Sequence, residues 1–220
     1  MSPVKTAKAA AKKATSKPYH HGNLRDALII AAAELIEESG SAEFALSDAA
    51  RRAGVSTAAP YRHFKDREDL LHAVSELGFF GLDAATREVA SQYEYGSQAC
   101  IVELGKSYIR FVSSRPAFFD IMWGDEGRAA MDSIAEDGDE LRSQGFWLFV
   151  NQVEAWLEKN GLRGADALDV SFKLWAMAIG ICHLMINRSF ERFTDGVDPY
   201  LILATSTDAF LRGLLVAQAD

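Results

Sequence analysis

A chain of 220 residues that is 49% apolar and 25% charged is long enough to bury about 70% of its unfolded surface, and it is neither disordered throughout nor an integral membrane protein by composition. Its two cysteines, Cys100 and Cys182, both lie in apolar stretches, which reads as reduced, buried thiols of a cytoplasmic protein and excludes a disulfide framework or a cysteine-based zinc site. The net charge of -8 opposes a nucleic-acid partner only until it is divided: residues 1–71 hold 11 basic and 9 acidic groups, residues 72–220 hold 12 and 22.

Apolar residues recur at three to four positions and no run alternates as a strand would, so the chain is expected to be all-α. Residues 1–18, with five lysines and no acid, are expected to form a disordered basic tail without a signal-peptide core. Such a segment is either simply solvated or an arm that adds phosphate or minor-groove contacts. The first helix opens at Asn23, with Asp26 in the reciprocal capping position. It turns Leu24, Ala27, Leu28, Ala31, Leu35 and Ile36 inward and stops at Gly40. Two short segments follow, Leu46 to Ala53 and Thr57 to Phe64, neither stable alone at that length. Asp66 then caps a long helix through Leu70, Leu71, Val74 and Leu77, which Gly78 and Gly81 either interrupt or leave running to Ala90.

After a break at Tyr93 to Ser97, a helix from Gln98 to Ser114 ends before Pro116, whose ring disfavours a helical residue ahead of it. Pro116 to Trp123 is a short helix, and the acidic stretch Gly124 to Asp139 is another short helix or a loop. Glu140 to Glu158, Asp166 to Arg188 and Asp198 to Ala217 complete the set. The run Val170 to Ile186, at 17 residues with Lys173 and His183 inside it, is too short and too polar to span a membrane well.

Segments 46–53 and 57–64, joined by Gly54-Val55-Ser56, have the pattern of a helix-turn-helix. Gly54 supplies the positive φ of a sharp turn, Val55 plugs it from beneath, and Ala49, Ala50 and Ala53 are small enough for two helices to cross closely. Ser56 is placed to cap the second helix, in which Pro60 removes only the bond back to residue 56. Its outward side presents Thr57, Ala58, Tyr61 and Arg62, a surface suited to a major groove, while Phe64 turns inward. Taken alone, Lys65 to Asp69 is an ordinary solvated helix start and Arg51 and Arg52 are surface charges. His20 and His21 have no further ligand at metal-binding spacing.

The strings His20-His21-Gly22-Asn23-Leu24-Arg25, Ala49-Ala50-Arg51-Arg52-Ala53-Gly54-Val55-Ser56 and Tyr61-Arg62-His63-Phe64-Lys65-Asp66-Arg67-Glu68-Asp69-Leu70-Leu71 together resemble the amino-terminal domain of TetR-family transcriptional regulators, over residues 19–74. The remainder resembles the branch with a WHG-type C-terminal region, through Arg115-Pro116-Ala117-Phe118-Phe119 and Trp175 to Gly180. Two positions depart from the pattern. Ile179 stands where that branch has His before Gly, and Ala45 stands where the family has a Ser or Thr cap. Either Ser47 caps instead or the motif lacks one cap, at a cost of about 1 kcal/mol.

The resemblance implies a helix-turn-helix domain at residues 19–66 and a larger helical effector-binding and dimerisation domain at 67–220. It implies DNA contacts from Ser56, Thr57, Ala58, Tyr61, Arg62, His63, Lys65 and Arg67. Tyr61, His63, Lys65 and Arg67 would meet phosphates, and Thr57, Ala58 and Arg62 base edges or adjacent backbone, with the amides at the Asp66 helix start offering a phosphate site. It implies an effector pocket, for which Tyr108, Phe119, Met122, Trp123, Phe146 and Trp147 are the candidate lining, although such residues serve equally as core. Asp120, Asp125 and Glu126 either suit a cationic effector or are solvated. It implies a homodimer through the last two helices, with Val170, Leu174, Met177, Ile181, Phe210 and Leu214 in the seam or in the protomer's own core.

The expected protein is thus a cytoplasmic, ligand-responsive repressor, a homodimer on a palindromic double-stranded DNA operator that a small-molecule effector releases, with no cofactor, metal or membrane partner. An all-helical metal-dependent enzyme is the first alternative, but the chain has no Glu-x-x-His pair, His-Glu-x-x-His or phosphate-binding Gly loop. An architectural DNA-binding protein without effector control is the second, and it requires a filled C-terminal core.

Overall fold

The computed structural model describes residues 24–125, 127–128, 144–193 and 195–217. The basic tail, His20, His21, the Asn23 cap and most of the acidic stretch 124–139 lie outside them. The described residues form helices without a strand, as the periodicity requires. They are α1 (Leu24–Ser39), α2 (Leu46–Arg52), a single 3₁₀ turn (Pro60–Arg62), α3 (Arg67–Ala90), α4 (Gln98–Ser114), α5 (Pro116–Trp123), α6 (Gln144–Lys159), α7 (Ala167–Ile186), α8 (Ser189–Phe193) and α9 (Pro199–Ala217).

The amino-terminal core brings Leu28, Ala32 and Ile36 of α1 against Leu46 and Ala49 of α2 and Leu70, Leu71 and Val74 of α3, with Phe64 sealed among them. Gly40, at φ +68, ends α1 and donates its N–H to the Ile36 carbonyl at 2.9 Å. Gly54, at φ +72, makes the turn after α2. Ser47 does not cap α2. Ala45 is its N-cap residue, and Asp48 makes up part of the missing cap by accepting the Ala45 N–H at 2.9 Å.

The segment after the turn is not the α-helix expected at 57–64. Pro60 has no N–H to give, and the bonds around it reach back three residues: Ala59 N–H to Ser56 at 2.9 Å, Arg62 N–H to Ala59 at 3.2 Å and His63 N–H to Pro60 at 2.9 Å. The result is a turn leading into one 3₁₀ turn. Pro60 and Phe64 are both buried and hold the segment to the core.

α3 runs unbroken through Gly78 and Gly81. A Cβ at Gly78 would sit 2.7 Å from the Met122 sulfur, and one at Gly81 would sit 3.2 Å from the Phe111 ring. The glycines give up helix propensity so that α5 and α4 can press against α3. The beginning of α3 therefore lies in the amino-terminal core, while Phe79, further along, packs with Met122 and near Trp123. α5 spans the same divide: Phe118 and Ile121 enter the amino-terminal core, and Arg115, just ahead of it, donates to the Glu37 carboxylate of α1 at 2.9 Å.

α4, α6, α7 and α9 form the larger bundle, with Ile101, Val153, Trp156, Val170, Leu174 and Leu211 in one core cluster and Ile109, Val112, Ile181, Cys182 and Leu203 in another. Asp166 caps α7 by accepting the Leu168 N–H at 2.9 Å, and Asp198 caps α9 by accepting the Tyr200 N–H at 2.9 Å. Val170, Leu174 and Ile181, expected as candidates for a dimer seam, are only 2%, 5% and 6% exposed. They fill the protomer's own core and cannot form a seam. Met177, Phe210 and Leu214 are half-buried against the same cluster. α7 and α9 are long and apolar enough to cross a membrane by length and composition alone. Only 33% and 17% of their apolar windows are buried, which leaves substantial helix surface uncovered.

The α3–α4 connection turns at Gly96, where φ is +63 and a Cβ would lie 2.5 Å from the Ala155 Cβ and 3.0 Å from the Ala155 backbone carbon. Gly96→Ala should therefore destabilise the protein by about 2–4 kcal/mol, combining left-handed strain with overpacking against a helix backbone. Gly164→Ala, where nothing lies within 4 Å, should shift the thermal midpoint little. Calorimetric melting of the two variants checks the contrast.

Candidate nucleic-acid interface and ligand cavity

Two buried anchors four residues apart determine which side chains of the 56–65 segment face outward. With Pro60 and Phe64 inside, Ser56, Thr57, Ala58, Tyr61, Arg62, His63 and Lys65 are all exposed, and Tyr61 shows 64% of its surface. Beneath them, the Arg25 guanidinium lies 5.4 Å from the centre of the Phe64 ring. Among the described residues, the side chains of Tyr61, Arg62, His63 and Lys65 have no hydrogen-bond or ion-pair partner. Their donors are free for an external acceptor.

The other basic groups nearby are already engaged. Arg51 pairs with Asp48, and Arg52 pairs with Glu34 at 2.7 Å and with Glu38. The hydrogen bond and charge of Arg52 hold Glu38 below its ordinary carboxylate range. Arg67 is half-buried and donates to the Ala42 carbonyl at 3.1 Å, tying the start of α3 to the loop before α2. The helix start at Asp66 is also partly taken, because Asp66 accepts the Asp69 N–H and Asp69 accepts the Lys65 N–H, both at 2.9 Å. These carboxylates take two of the amides that a phosphate would otherwise find there.

A cavity of about 310 Å³ lies between α3, α4, α6, α7 and α9, with Trp123 of α5 at one wall. Tyr108, Trp123 and Phe146 line it as expected. Phe119, Met122 and Trp147 do not. Phe119 packs on the Ile109 cluster, Met122 is buried beside Gly78, and Trp147 is exposed. Asp120 and Asp125 are exposed and outside the cavity, with Asp125 facing Arg128 at 3.5 Å. The carboxylate that does reach the cavity is Asp83. It is buried, pairs with Arg87 one turn further along α3 at 2.7 Å, and bridges α3 to α6 by accepting the Gly145 N–H.

The family model described as bacterial regulatory proteins, tetR family, matches residues 28–74, and the model described as tetracyclin repressor-like, C-terminal domain, matches residues 101–207. The chain belongs to the TetR family. It is a DNA-binding transcriptional regulator of that family. A solved protein of unknown function from Rhodococcus sp. RHA1 is similar to it at a TM-score of 0.68 and 27% identity, covering 91% of this chain and 100% of that one. The TetR family transcriptional regulator PfmR from Thermus thermophilus shares the fold at a TM-score of 0.57 and 21% identity, over 84% of this chain and 97% of that one. So does the fatty acid degradation regulator FadR from Bacillus halodurans, at a TM-score of 0.57 and 16% identity, over 85% and 94%. No curated protein sequence matches the chain.

The cavity of this TetR-family chain includes residues that sequence reasoning missed, above all Phe79, Leu82 and Thr86 of α3 and Phe172 and Trp175 of α7. Within its own helix each fits an ordinary packing stripe. Only the convergence of several helices distinguishes them.

Burial raises the Tyr108 phenol above its ordinary value. The indoles of Trp175 and Trp123 partly offset this, while neighbouring Cys182 adds to it. Burial also pushes the Cys182 thiol up to about 12. Both acids keep their protons in the folded protein at a pH where the unfolded chain releases them. Their contribution to stability is therefore intact below about pH 8.5 and is lost progressively as pH rises from the unfolded thiol and phenol values, about 8.5 and 10, toward the raised folded ones. Urea unfolding between pH 8 and 11 should show this alkaline loss, and Tyr108→Phe should flatten the part above pH 10.

Proposed function

We propose that this TetR-family regulator is a homodimeric repressor that binds a palindromic double-stranded operator and is released by a small-molecule effector. It acts in the cytoplasm, without a cofactor and as a regulator rather than an enzyme. Residues 19–66 form the reading head and residues 67–220 the effector and dimerisation unit. One observation carries the effector part of this reading: the cavity and the reading head share α3 and α5. Phe79, Leu82 and Asp83 of α3 and Trp123 of α5 wall the cavity. Leu70, Leu71 and Val74 of α3 and Phe118 and Ile121 of α5 lie in the core that holds Phe64.

A ligand that pushes on Trp123 or Phe79 moves elements packed directly beneath the reading surface. It shifts the equilibrium between two head positions to the extent that it binds one better than the other. An architectural binder without effector control has no use for a 310 Å³ apolar cavity, and the cavity favours the effector reading over it.

Ser56, Thr57, Ala58, Tyr61, Arg62, His63 and Lys65 supply the DNA contacts, with Arg67 adding one from the part of its guanidinium not bound to Ala42. The dimer seam falls on the uncovered faces of α7 and α9. Ala176, Gly180 and Leu184 share one such face, and Leu201, Ala209, Gly213 and Val216 share the other. Nothing lies within 4 Å of a Cβ built at Gly180 or Gly213, so a partner helix can approach closely at both.

Selection of bound sequences from a random DNA pool should return a palindrome with half-sites about 34–36 Å apart, or a multiple of one turn. A Tyr61→Ala/Lys65→Ala double variant should lose at least about tenfold in affinity, with a salt slope shallower by about one unit and an unchanged thermal midpoint, because both side chains are exposed. Equal binding by the double variant and the wild type, in a fluorescence anisotropy titration, would remove the assigned interface.

A further inference from the structure

We propose that the cavity takes an uncharged, flat-ringed compound bearing an acceptor oxygen, of the aryl ketone or phenol kind, and that Tyr108, Trp123 and Trp175 hold that oxygen. The proposal rests on the effector reading above and adds the chemistry of what is bound.

The walls call for rings. Phe79 meets Trp123 edge-on at 5.6 Å, Trp123 meets Trp175 at 5.3 Å, and Phe146 meets Trp175 at 5.5 Å and Phe172 at 5.4 Å. All five residues line the cavity. Such a chain of tilted aromatic faces and edges accepts another ring in offset or edge geometry. The volume of about 310 Å³ is at the small end of ligand sites, which run from about 300 to 1,000 Å³, and it admits one or two fused rings.

The polar groups specify the rest. The Tyr108 hydroxyl and the Trp123 indole nitrogen are buried and have no hydrogen-bond partner. The Trp175 and Trp123 indoles approach the Tyr108 oxygen closely enough to ease its ionisation, yet Tyr108 completes no hydrogen bond. Interiors rarely keep unpaired buried donors unless a partner arrives from elsewhere. Indole N–H groups only donate, and the phenol offers one O–H donor beside its own oxygen, so three donors face a single acceptor. The cluster therefore needs an acceptor.

Charge excludes the ionic alternatives. Among the described residues the cavity lining contains no Lys, Arg or His, and Asp83 is its one carboxylate, already committed to Arg87 and the Gly145 amide. An anion would be buried beside a like charge without a counter-ion. A cation would bring further donors to a cluster of donors.

Isothermal titration of the full chain with 1-indanone, indane, indane-1-carboxylate and 1-aminoindane tests this on one ring system. 1-Indanone should bind at least about tenfold more tightly than indane, and more tightly than either ion. Tyr108→Phe keeps the ring and should bring 1-indanone to within about threefold of indane while leaving the affinity for indane unchanged. Equal binding of ketone and hydrocarbon by the wild type would overturn the proposal, as would tightest binding of the carboxylate or the ammonium, or binding of none of the four. The effector reading fails separately: the expected ranking with no effect of saturating 1-indanone on affinity for the selected DNA would uphold the ligand class and remove its regulatory role.

Discussion

α3 is packed into two cores at once. At its beginning Leu70, Leu71 and Val74 are fixed around Phe64. Beyond Gly78, Phe79, Leu82 and Thr86 form a cavity wall. A helix of 24 residues spans about 36 Å and bends little without a proline or a bulge, so a displacement at one end is felt at the other. The place where the two halves meet is also where α5 presses on α3, with the Met122 side chain against Gly78. Close-packed interiors pass such displacements on rather than absorbing them. The second strut, α5, is held at its start by Arg115 on Glu37 and at its end by Trp123 in the cavity wall. The ion pair is half exposed and contributes little energy. The buried Phe118 and Ile121 do most of the holding.

A chain with a net charge of -8 serves a DNA-binding role because charge is partitioned by location. Near the proposed reading surface several acids are spent internally: Asp48 on Arg51, Glu34 and Glu38 on Arg52, Asp66 and Asp69 on backbone amides. Arg62 and Lys65 keep their charge for an external partner. The acidic excess of residues 72–220 is repelled by a phosphate backbone, which favours approach by the amino-terminal end.

Helix ends were the most legible part of the fold, because they rest on single residues with a local mechanism. Gly40, Pro116 and the Asp66 cap act where the pattern placed them, and Asp166 and Asp198, expected as the first residues of their helices, cap them. The expected helix at 57–64 failed for an equally local reason: Pro60 withholds a donor and the bonds tighten to 3₁₀. Non-local features were less legible. Phe172 and Trp175 belong to a cavity only because α3, α4 and α5 converge on them, and no spacing within α7 says so. α7 is apolar around much of its girth, so hydrophobicity could not separate Val170, Leu174 and Ile181, which are inside, from the uncovered face. The clue lay in side-chain size: Ala176 and Gly180, like Ala209 and Gly213, recur at four residues.

In the stretch from Ser56 to Lys65, the side chains that fasten the backbone and those that face outward are different residues. Pro60 and Phe64 do the fastening, with Arg25 stacked beneath Phe64. Thr57, Ala58, Tyr61 and Arg62 carry none of the packing. Their identities are therefore free to drift without cost to folding, and under the proposed DNA contacts a lineage of such proteins can acquire new target sequences by changing a few outward positions on an unaltered scaffold.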